Sequence, residues 1–432
     1  MQIIKDKLPK EHQYFTYIKK VIRHRCRHAG YRRFTTPIFE DFDIFKKIYE
    51  LPDDKTQNSF SFTDLNGHKK FLVNDRVPFL VRAYVDNNMK IWAQPVELYF
   101  IEPIFTFESQ DKYKYAQSDN FGVAVMGETD PAIDAQVIQL FYQILDDLGV
   151  SHLVKLKINN AGSLIDQKNY SRALQDFYIG KERSLCSRCN DLLYTKPLQL
   201  LNCEQEDCKI LSELAPKFAQ FISKESKNYI IQVQEYLNEI EVPFEVDEKL
   251  FLKEPYYTNI AFEFVGISKV DSKIAEGGRC DNLFKLLKLE SEEAIDTFGA
   301  NMNIDAIIAM MKKEKIQVPS KDNLHLFVAQ LGPEAKKKCL RLMKDCREVG
   351  IKCVGALGKG SMKEQLQLAQ QFTVPYTILM GLTEVNEGVV ILRDMIKGVQ
   401  YKVKYEEAIE EIIKLIGEKN LDKYHPGELV YS

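Results

Sequence analysis

The 432-residue chain has no run approaching the roughly 18 apolar residues of a membrane-crossing helix. Its opening, Met1-Gln2-Ile3-Ile4-Lys5-Asp6-Lys7, is too charged to begin a secretory signal. It has no excess of charge of either sign, because 59 Lys+Arg against 62 Asp+Glu leave a net −3. Contact with a nucleic acid must therefore come from local patches and not from the average field. The seven histidines show no metal-ligand spacing. Of nine cysteines, an odd number, five (Cys26, Cys280, Cys339, Cys346, Cys353) are scattered, which argues against a secreted disulfide framework. These absences exclude a membrane-spanning or disulfide-stapled protein and predict a soluble cytoplasmic one with reduced thiols. With 45% apolar and 28% charged residues the chain is globular, and its length suggests about three domains.

Hydrophobic spacing sets the expected elements. Residues 11–29 read as an amphipathic helix, with Phe15, Ile18, Ile22 and Cys26 on one face and Gly30 as its stop. Its other face is basic (Lys19, Lys20, Arg23, Arg25, Arg27), either a solvated surface or one that meets RNA or an acidic partner. From Phe34 to about Val125 the pattern changes to strands and turns, with an Asn66-Gly67 hairpin signal, so an antiparallel sheet is expected. Asp130 to Leu148 reads as a helix with an early Pro131 and Gly149 after its end.

Residues 170–242 read as a helical insertion, after which Tyr257 to Val270 resumes β character and 280–312 is expected to be helical. Beyond 322 an alternating pattern follows: strand 324–328, helix from Pro333 to Gly350, strand 353–355, helix 361–371, strand 377–380, an apolar stretch 388–392 and helix 405–416. The expected domains are a core of 1–160 with 243–318, an insertion 161–242, a small α/β domain 322–418 and a tail 419–432.

Cys186-x2-Cys189, thirteen residues, then Cys203-x4-Cys208 supplies four soft ligands in two close pairs, as a tetrahedral zinc ion requires. Four thiolates leave no open coordination position, so the metal would be structural. Unpaired structural cysteines and a redox pair are the other readings of the same residues.

Over nearly its whole length the chain resembles class II aminoacyl-tRNA synthetases, and the histidyl enzymes in particular. The resemblance rests on Gly30-Tyr31-x4-Thr36-Pro37-Ile38-Phe39-Glu40 (motif 1), Leu72-x9-Arg82-Ala83-Tyr84, and Tyr99-x3-Pro103-Ile104-Phe105 (the start of motif 2). Asp130-x3-Asp134-Ala135-x-Val137-Ile138 continues it, and Tyr256-Tyr257-Thr258-x3-Phe262-Glu263 and Gly277-Gly278-Arg279-x-Asp281 are its most specific parts. It implies a class II α+β core with an antiparallel sheet of six or seven strands, a cysteine-bearing helical insertion as in some bacterial relatives, a C-terminal anticodon-binding-like α/β domain, and a homodimer. The family activates an amino-acid carboxylate on the α-phosphorus of ATP, then transfers it to tRNA, using arginines and magnesium against the phosphates.

The chain departs from that pattern where the cations belong. The motif 2 arginine falls on Thr106, the histidyl-specific arginine on Leu252 and the motif 3 arginine on Ala306, with Asp305 in place of the preceding glutamate. The pocket carboxylate falls on Ala124 and its glutamine neighbour on Asn120, while Asp75 replaces a glutamate within Val73-Asn74-Asp75-Arg76-Val77. A vestigial pocket is expected from Asp75, Val77, Glu108, Asn120, Ala124, Tyr256, Tyr257, Gly277, Gly278 and Arg279, with ATP and magnesium binding doubtful and no catalytic residue assigned. Lys112, Lys114 and Lys253 are the candidate replacement cations, though lysine lacks the bidentate fork of arginine.

Gly355-x2-Gly358-Lys359-Gly360-Ser361 lacks phosphate-loop spacing and reads as a strand-to-helix turn. Asp75, Glu108 and Glu263 read as retained fold hydrogen bonds before a metal or acid–base trio. Lys336, Lys337, Lys338, Arg341 and Lys344 form a basic helix face that either is solvated or meets RNA phosphates. The functional expectation is a synthetase-like paralogue that binds tRNA or a regulatory protein partner without histidine activation. A diverged active histidine–tRNA ligase is the alternative. A regulatory subunit of the ATP phosphoribosyltransferase type ranks third, since that family usually lacks the C-terminal domain.

Overall fold

The computed structural model describes residues 6–49, 59–106, 117–203, 205–267, 273–288, 295–319 and 323–422. The chain divides into two compact units, Met1–Val318 and Pro319–Ser432.

The first unit is built on a sheet whose strands lie in the order Arg32–Arg33, Val96–Phe105, Gln117–Met126, Thr297–Asn303, Lys273–Arg279, Thr258–Gly266, Val154–Gly162, Glu245–Val246. The six inner strands are antiparallel to their neighbours. The two-residue pieces at the edges pair in parallel, which corrects the purely antiparallel expectation to a mixed, eight-stranded sheet among the described residues. Each edge piece is a short stretch of connection running alongside the outer strand, too brief to carry a strand signal in sequence.

Alternation along the inner strands divides the two faces. Phe121, Val123, Val125, Phe262, Phe264, Phe298 and Met302 point to the face covered by the helices Pro9–His28, Pro131–Asp147, Lys224–Glu239 and Ile304–Lys313. The segment 280–312 is not helical throughout: Thr297–Asn303 is a central strand, because Phe298, Ala300 and Met302 recur with period two and are all fully buried on that face. The first helix buries Ile18, Ile22 and Cys26 and stops at Gly30, whose φ is +84°. The helix Pro131–Asp147 is capped by the Asp130 carboxylate, which accepts from the Ala132 amide at 2.8 Å.

The opposite face of the sheet is packed by Leu98, Phe100, Ala124 and Met126 against the helices Phe42–Tyr49 and Val77–Asp86 and the segment 250–257. A three-stranded sheet, Phe39–Asp41, Lys69–Leu72 and Ser61–Thr63, carries the expected hairpin at Asn66-Gly67, with Gly67 at φ +83°.

The insertion is helical as expected: Leu164–Tyr178, Ser187–Leu193, Glu206–Leu214 and Lys224–Glu239. The first of these opens on a capping box between Ser163 and Asp166.

The second unit is a five-stranded sheet ordered Cys353–Gly355, Leu326–Gln330, Tyr376–Met380, Val389–Asp394, Gln400–Lys404. The first three strands are parallel and the last two antiparallel, with the helices Pro333–Glu348, Met362–Gln371, Leu382–Glu387 and Ala408–Ile416. The strand Gln400–Lys404 and helix Leu382–Glu387 have no counterpart in the sequence reading; the strand is an exposed edge with a single half-buried side chain and so little apolar alternation. The glycine-rich stretch 355–361 joins a strand to a helix, and its Leu357 and Lys359 carbonyls accept from the Gln330 side chain. Of the expected tail, residues 423–432 lie outside the described residues.

Candidate functional site

The sheet face away from the four long helices carries a polar cluster. Asp75, 7% exposed, sits in the turn before helix Val77–Asp86. Its Oδ1 accepts from the Val77 amide at 3.0 Å and from Asn301 Nδ2 at 3.1 Å, while Oδ2 has no partner. Burial and the charge of Glu254 push the Asp75 carboxyl up to about 7. Glu254 is raised too, by burial, although its carboxylate shares a hydrogen bond with the Tyr49 hydroxyl. That hydroxyl also accepts from Asn74 Nδ2 at 2.9 Å.

Four more atoms here are buried and unpaired among the described residues: Glu254 Oε2, Asn301 Oδ1 and the Tyr256 and Tyr257 hydroxyls. The two tyrosine rings lie 4.7 Å apart. On the strand Lys273–Arg279, Lys273 pairs with Glu276 at 2.5 Å and reaches Glu263 at 3.9 Å.

The remaining expected pocket residues divide among different roles. Val77 and Ala124 are fully buried in apolar packing, and a Cβ on Gly299 would lie 2.4 Å from Val77 Cγ1, so this end of the face is filled. Asn120 is buried, donating to the Ser118 carbonyl and hydroxyl. At Gly278 a Cβ would come within 2.1 Å of the Ile260 carbonyl oxygen, so glycine here permits a close approach of strands. Gly277 is likewise a packing glycine, since its Cβ would meet Ala300. Glu108, Lys112 and Lys114 lie outside the described residues, and of the carboxylate trio only Asp75 and Glu263 are described.

Arg279 does not belong to this pocket. Fully buried on the helix-covered side, it bonds Asp134 Oδ1 at 3.3 Å and Asp281 Oδ1 at 2.7 Å. Asp134 also accepts from the Tyr229 hydroxyl at 2.8 Å, and Asp281 from the Thr297 amide at 2.7 Å. Burial alone would lower the guanidinium pKa, but the two carboxylates outweigh it and hold the charge on. The network joins the sheet, the helix Pro131–Asp147 and the insertion helix Lys224–Glu239.

The three positions expected to lack cations are accounted for as follows. Thr106 opens the segment 107–116 just after Phe105, whose amide donates to the Val73 carbonyl at 2.8 Å. Leu252 is buried among Leu250, Tyr256 and Tyr257. Ala306 lies in the first turn of helix Ile304–Lys313, its amide capped by Asn303 Oδ1 at 3.0 Å. Asp305 is already engaged, accepting from the Asp119 amide at 2.8 Å and pairing with Lys7 at 2.9 Å, and Lys7 also bonds Asp119.

In the insertion the four sulfurs of Cys186, Cys189, Cys203 and Cys208 lie within 4.8 Å of one another. A thiolate tetrahedron with zinc bonds of about 2.3 Å has edges of about 3.8 Å. The Cys186–Cys203 sulfur separation is 3.8 Å, and the Cys186 amide donates to the Cys208 sulfur at 3.3 Å. The donor set and its spacing thus fit one soft ion.

Comparison with known proteins agrees with this geometry. A histidyl-tRNA synthetase family model matches residues 3–307, and an anticodon-binding-domain model matches 325–415. This chain belongs to the histidyl-tRNA synthetase family. The histidine–tRNA ligase of Staphylococcus carnosus is 30% identical over 400 residues, covering 91% of this chain and 92% of its own length. That of Bacillus velezensis is 29% identical over 412 residues, covering 94% and 96%. Among solved structures, apo S. aureus histidyl-tRNA synthetase superposes with a TM-score of 0.77 at 25% identity, covering 95% of this chain and 98% of that one. A Bacillus halodurans protein described as an ATP phosphoribosyltransferase regulatory subunit/histidyl-tRNA synthetase matches with a TM-score of 0.61 at 18% identity over 88% of this chain and 96% of that one, a likeness of fold.

Within the histidyl-tRNA synthetase family frame, the residues that sequence reasoning missed are Glu254, Asn301 and Arg76. Arg76 is fully buried and gives its hydrogen bonds to uncharged oxygens: Thr36 Oγ1 at 2.8 Å, the Thr36 and Pro37 carbonyls at 3.0 and 3.2 Å, and Pro103 O at 2.7 Å. It fastens the turn carrying Asp75 to the end of the strand Val96–Phe105. A charged residue one place after Asp75 was the available signal, but nothing in the sequence says that it points inward. No helix among the described residues is long and apolar enough to cross a membrane.

Proposed function

We propose that this histidyl-tRNA synthetase family member does not activate histidine with ATP and acts as a tRNA-binding or regulatory protein. What supports the reading is the resemblance: Thr106, Leu252 and Ala306 fall where it expects the three phosphate-directed arginines, and the polar part of the sheet face offers unpaired acceptors. Removing one preorganised donor costs about 10²- to 10³-fold in rate, and three together at least about 10⁴-fold even when strongly non-additive. Lys253, the described replacement candidate, lies beside Glu254, and its point charge does not reproduce an arginine fork.

The cysteine cluster is read as a structural zinc site holding the insertion together. A homodimer is proposed from the exposed apolar side chains Ile38, Phe39, Phe62 and Leu65 on and around the three-stranded sheet, the last fully exposed. Light scattering on the purified chain tests that part. tRNA as partner is supported by the matched anticodon-binding domain.

Histidine-dependent ATP–pyrophosphate exchange, run beside an intact histidyl enzyme, tests the main reading. Exchange more than about 10⁴-fold below the control is expected. Exchange within about a hundredfold would overturn it and return the chain to the active histidine–tRNA ligases, the activity carried in the names of its relatives.

A further inference from the structure

The second unit carries two thiols that share a hydrogen bond from neighbouring elements. Cys346 lies in the last turn of helix Pro333–Glu348, and Cys353 opens the strand Cys353–Gly355. The chain reverses between them at Gly350, whose φ is +88°, and the Ile351 amide donates to the Cys346 carbonyl at 2.9 Å. Cys353 is then fastened on both sides of the turn that bears Cys346. Its thiol donates to the Met343 carbonyl at 3.4 Å, three residues before Cys346. Its carbonyl accepts from Arg347 Nη2 at 3.2 Å, one residue after. Between these anchors the two thiols hydrogen-bond each other, within the core that also holds Leu326, Leu342 and Ile351.

A buried free cysteine standing alone is an ordinary core residue. Cys339, two turns earlier on the same helix and fully buried, is of that kind, with burial pushing its thiol up to about 12. Cys346 and Cys353 differ, because a hydrogen bond between thiols favours ionisation of one sulfur and retention of the proton on the other. The Cys346 hydrogen bond, and then the Arg347 guanidinium, hold the Cys353 thiol below its ordinary range against the effect of burial. The same hydrogen bond, and then burial, raise Cys346. No third cysteine, histidine or carboxylate completes a metal-ligand group with them among the described residues, so the pair does not repeat the four-cysteine site of the insertion.

We propose that Cys346 and Cys353 are a reversible oxidation site, closed to a disulfide by hydrogen peroxide and reopened by a dithiol. The Cys353 thiolate attacks one peroxide oxygen: an S–O bond forms, the O–O bond breaks, and the departing oxygen leaves as water with the proton that Cys353 gave up. The Cys346 sulfur then attacks the sulfenic sulfur: the S–S bond forms, the S–O bond breaks, and a second water carries off the Cys346 proton. Two electrons pass from the thiols to the peroxide, which ends as two waters.

Access comes from the edge of the sheet. Cys353 is 4% exposed and begins a three-residue strand that has a neighbour on one side only, while Arg347 against its sulfur is exposed. Segments with so few hydrogen bonds open locally at little cost, which admits an oxidant of this size. The closed bond ties the end of helix Pro333–Glu348 to the strand that leads into the glycine-rich turn 355–361. It lies wholly within the second unit and does not depend on whether the first activates histidine.

The test is peptide mapping of the full-length protein after hydrogen peroxide, with the four clustered cysteines loaded with zinc. Trypsin cuts after Lys344, Arg347, Lys352 and Lys359, so 345–347 and 353–359 separate unless a disulfide joins them. The joined peptides are expected, formed at least about tenfold faster than Cys339 is lost, and dithiothreitol should restore both thiols. In Cys346→Ala the Cys353 sulfenic acid has no resolving partner and should be captured by dimedone, whereas in Cys353→Ala Cys346 should remain a thiol. Both thiols still alkylatable after peroxide has oxidised free glutathione in the same tube overturns the proposal, as does loss of Cys339 at the rate of the pair. A dimedone adduct on Cys346 in Cys353→Ala, as abundant as that on Cys353 in Cys346→Ala, overturns the assigned roles. Mapping of the parent chain needs no substitution, so a variant that fails to fold does not remove the test.

Discussion

The Asn202 side-chain amide donates to the Phe251 carbonyl at 3.0 Å, joining the residue before Cys203 to the segment that ends in Tyr256-Tyr257. Gln199, three residues earlier in the same turn, donates to the Leu252 carbonyl at 3.2 Å. Phe251 packs into the insertion core with Tyr170 and Phe218, whereas Leu250 and Leu252 pack into the core under the sheet face. The cysteine module thus holds one wall of the candidate site from outside.

Removing a metal from the four cysteines should therefore loosen residues that no cysteine touches. Because folding of such modules is coupled to metal binding, chelation is expected to speed amide exchange in 185–210 and, through the Asn202 and Gln199 bonds, in 250–257. The strand Gln117–Met126 should not change. Asn202→Ala should reproduce the second effect alone at a cost of about 1 kcal/mol. Exchange by mass spectrometry reads both, and a 250–257 segment that exchanges equally with and without chelator would refute the coupling.

Arg279 poses a different question, since it resembles a pocket residue in sequence and is a structural ion in the fold. With its side chain fully buried between Asp134 and Asp281, removing the guanidinium leaves two carboxylates without their counter-charge. Breaking such a pair from one side typically costs about 3–5 kcal/mol. Arg279→Met should lower the unfolding free energy by that amount in urea. A loss under about 1 kcal/mol would mean that the network contributes little to the fold.

Asp75 should behave in the opposite way. Its folded-state carboxyl titrates at about 7, above the roughly 3.9 of the unfolded chain, so between those values the native state holds more protons. The stability that it contributes is present in full below about pH 4 and is lost as the pH rises through about 7. Asp75→Asn carries no such titration, so its advantage over the parent should grow from near zero at pH 4 to about 2–4 kcal/mol at pH 8. Urea melts at the two pH values check this. A constant difference would show that Asp75 is already satisfied in the empty protein.

Cys186, Cys189, Cys203 and Cys208 were legible in the sequence because ligand spacing is local, and the same holds for the helix at Pro131 and the stop at Gly30. Thr106, Leu252 and Ala306 were placed at the cation positions by the family resemblance alone, with an unbroken register around Leu252. The Asp75–Asn301 bond was not legible, since it joins residues 226 positions apart and neither has a spacing that points to the other. Glu254 was hidden for a related reason: in Lys253-Glu254-Pro255 it reads as a solvated charge, and only the approach of Tyr49 and Asp75 from another part of the chain encloses it. Arg279 was placed at the pocket by the family signature alone, whereas its side chain lies on the helix-covered side, bonded to Asp134 and Asp281.

The basic helix Pro333–Glu348 had been left open between a solvated surface and an RNA track. Lys337 pairs with Glu334 at 2.8 Å, Arg341 with Asp345 at 3.1 Å and Lys344 with Glu348 at 2.6 Å. These pairs one turn apart neutralise three of the five basic side chains on the face, so Lys337, Arg341 and Lys344 suit water better than a run of phosphates. Arg341→Ala with Lys344→Ala should therefore change tRNA affinity less than about twofold, because neither side chain would be releasing counterions. Removing 319–432 should weaken binding and flatten its salt dependence, each lost phosphate contact reducing the slope of log affinity against log salt by about 0.7 to 0.9. Filter binding across a salt series measures both. If the double substitution alone weakens affinity tenfold or more, those ion pairs open on binding and this helix is the RNA track after all.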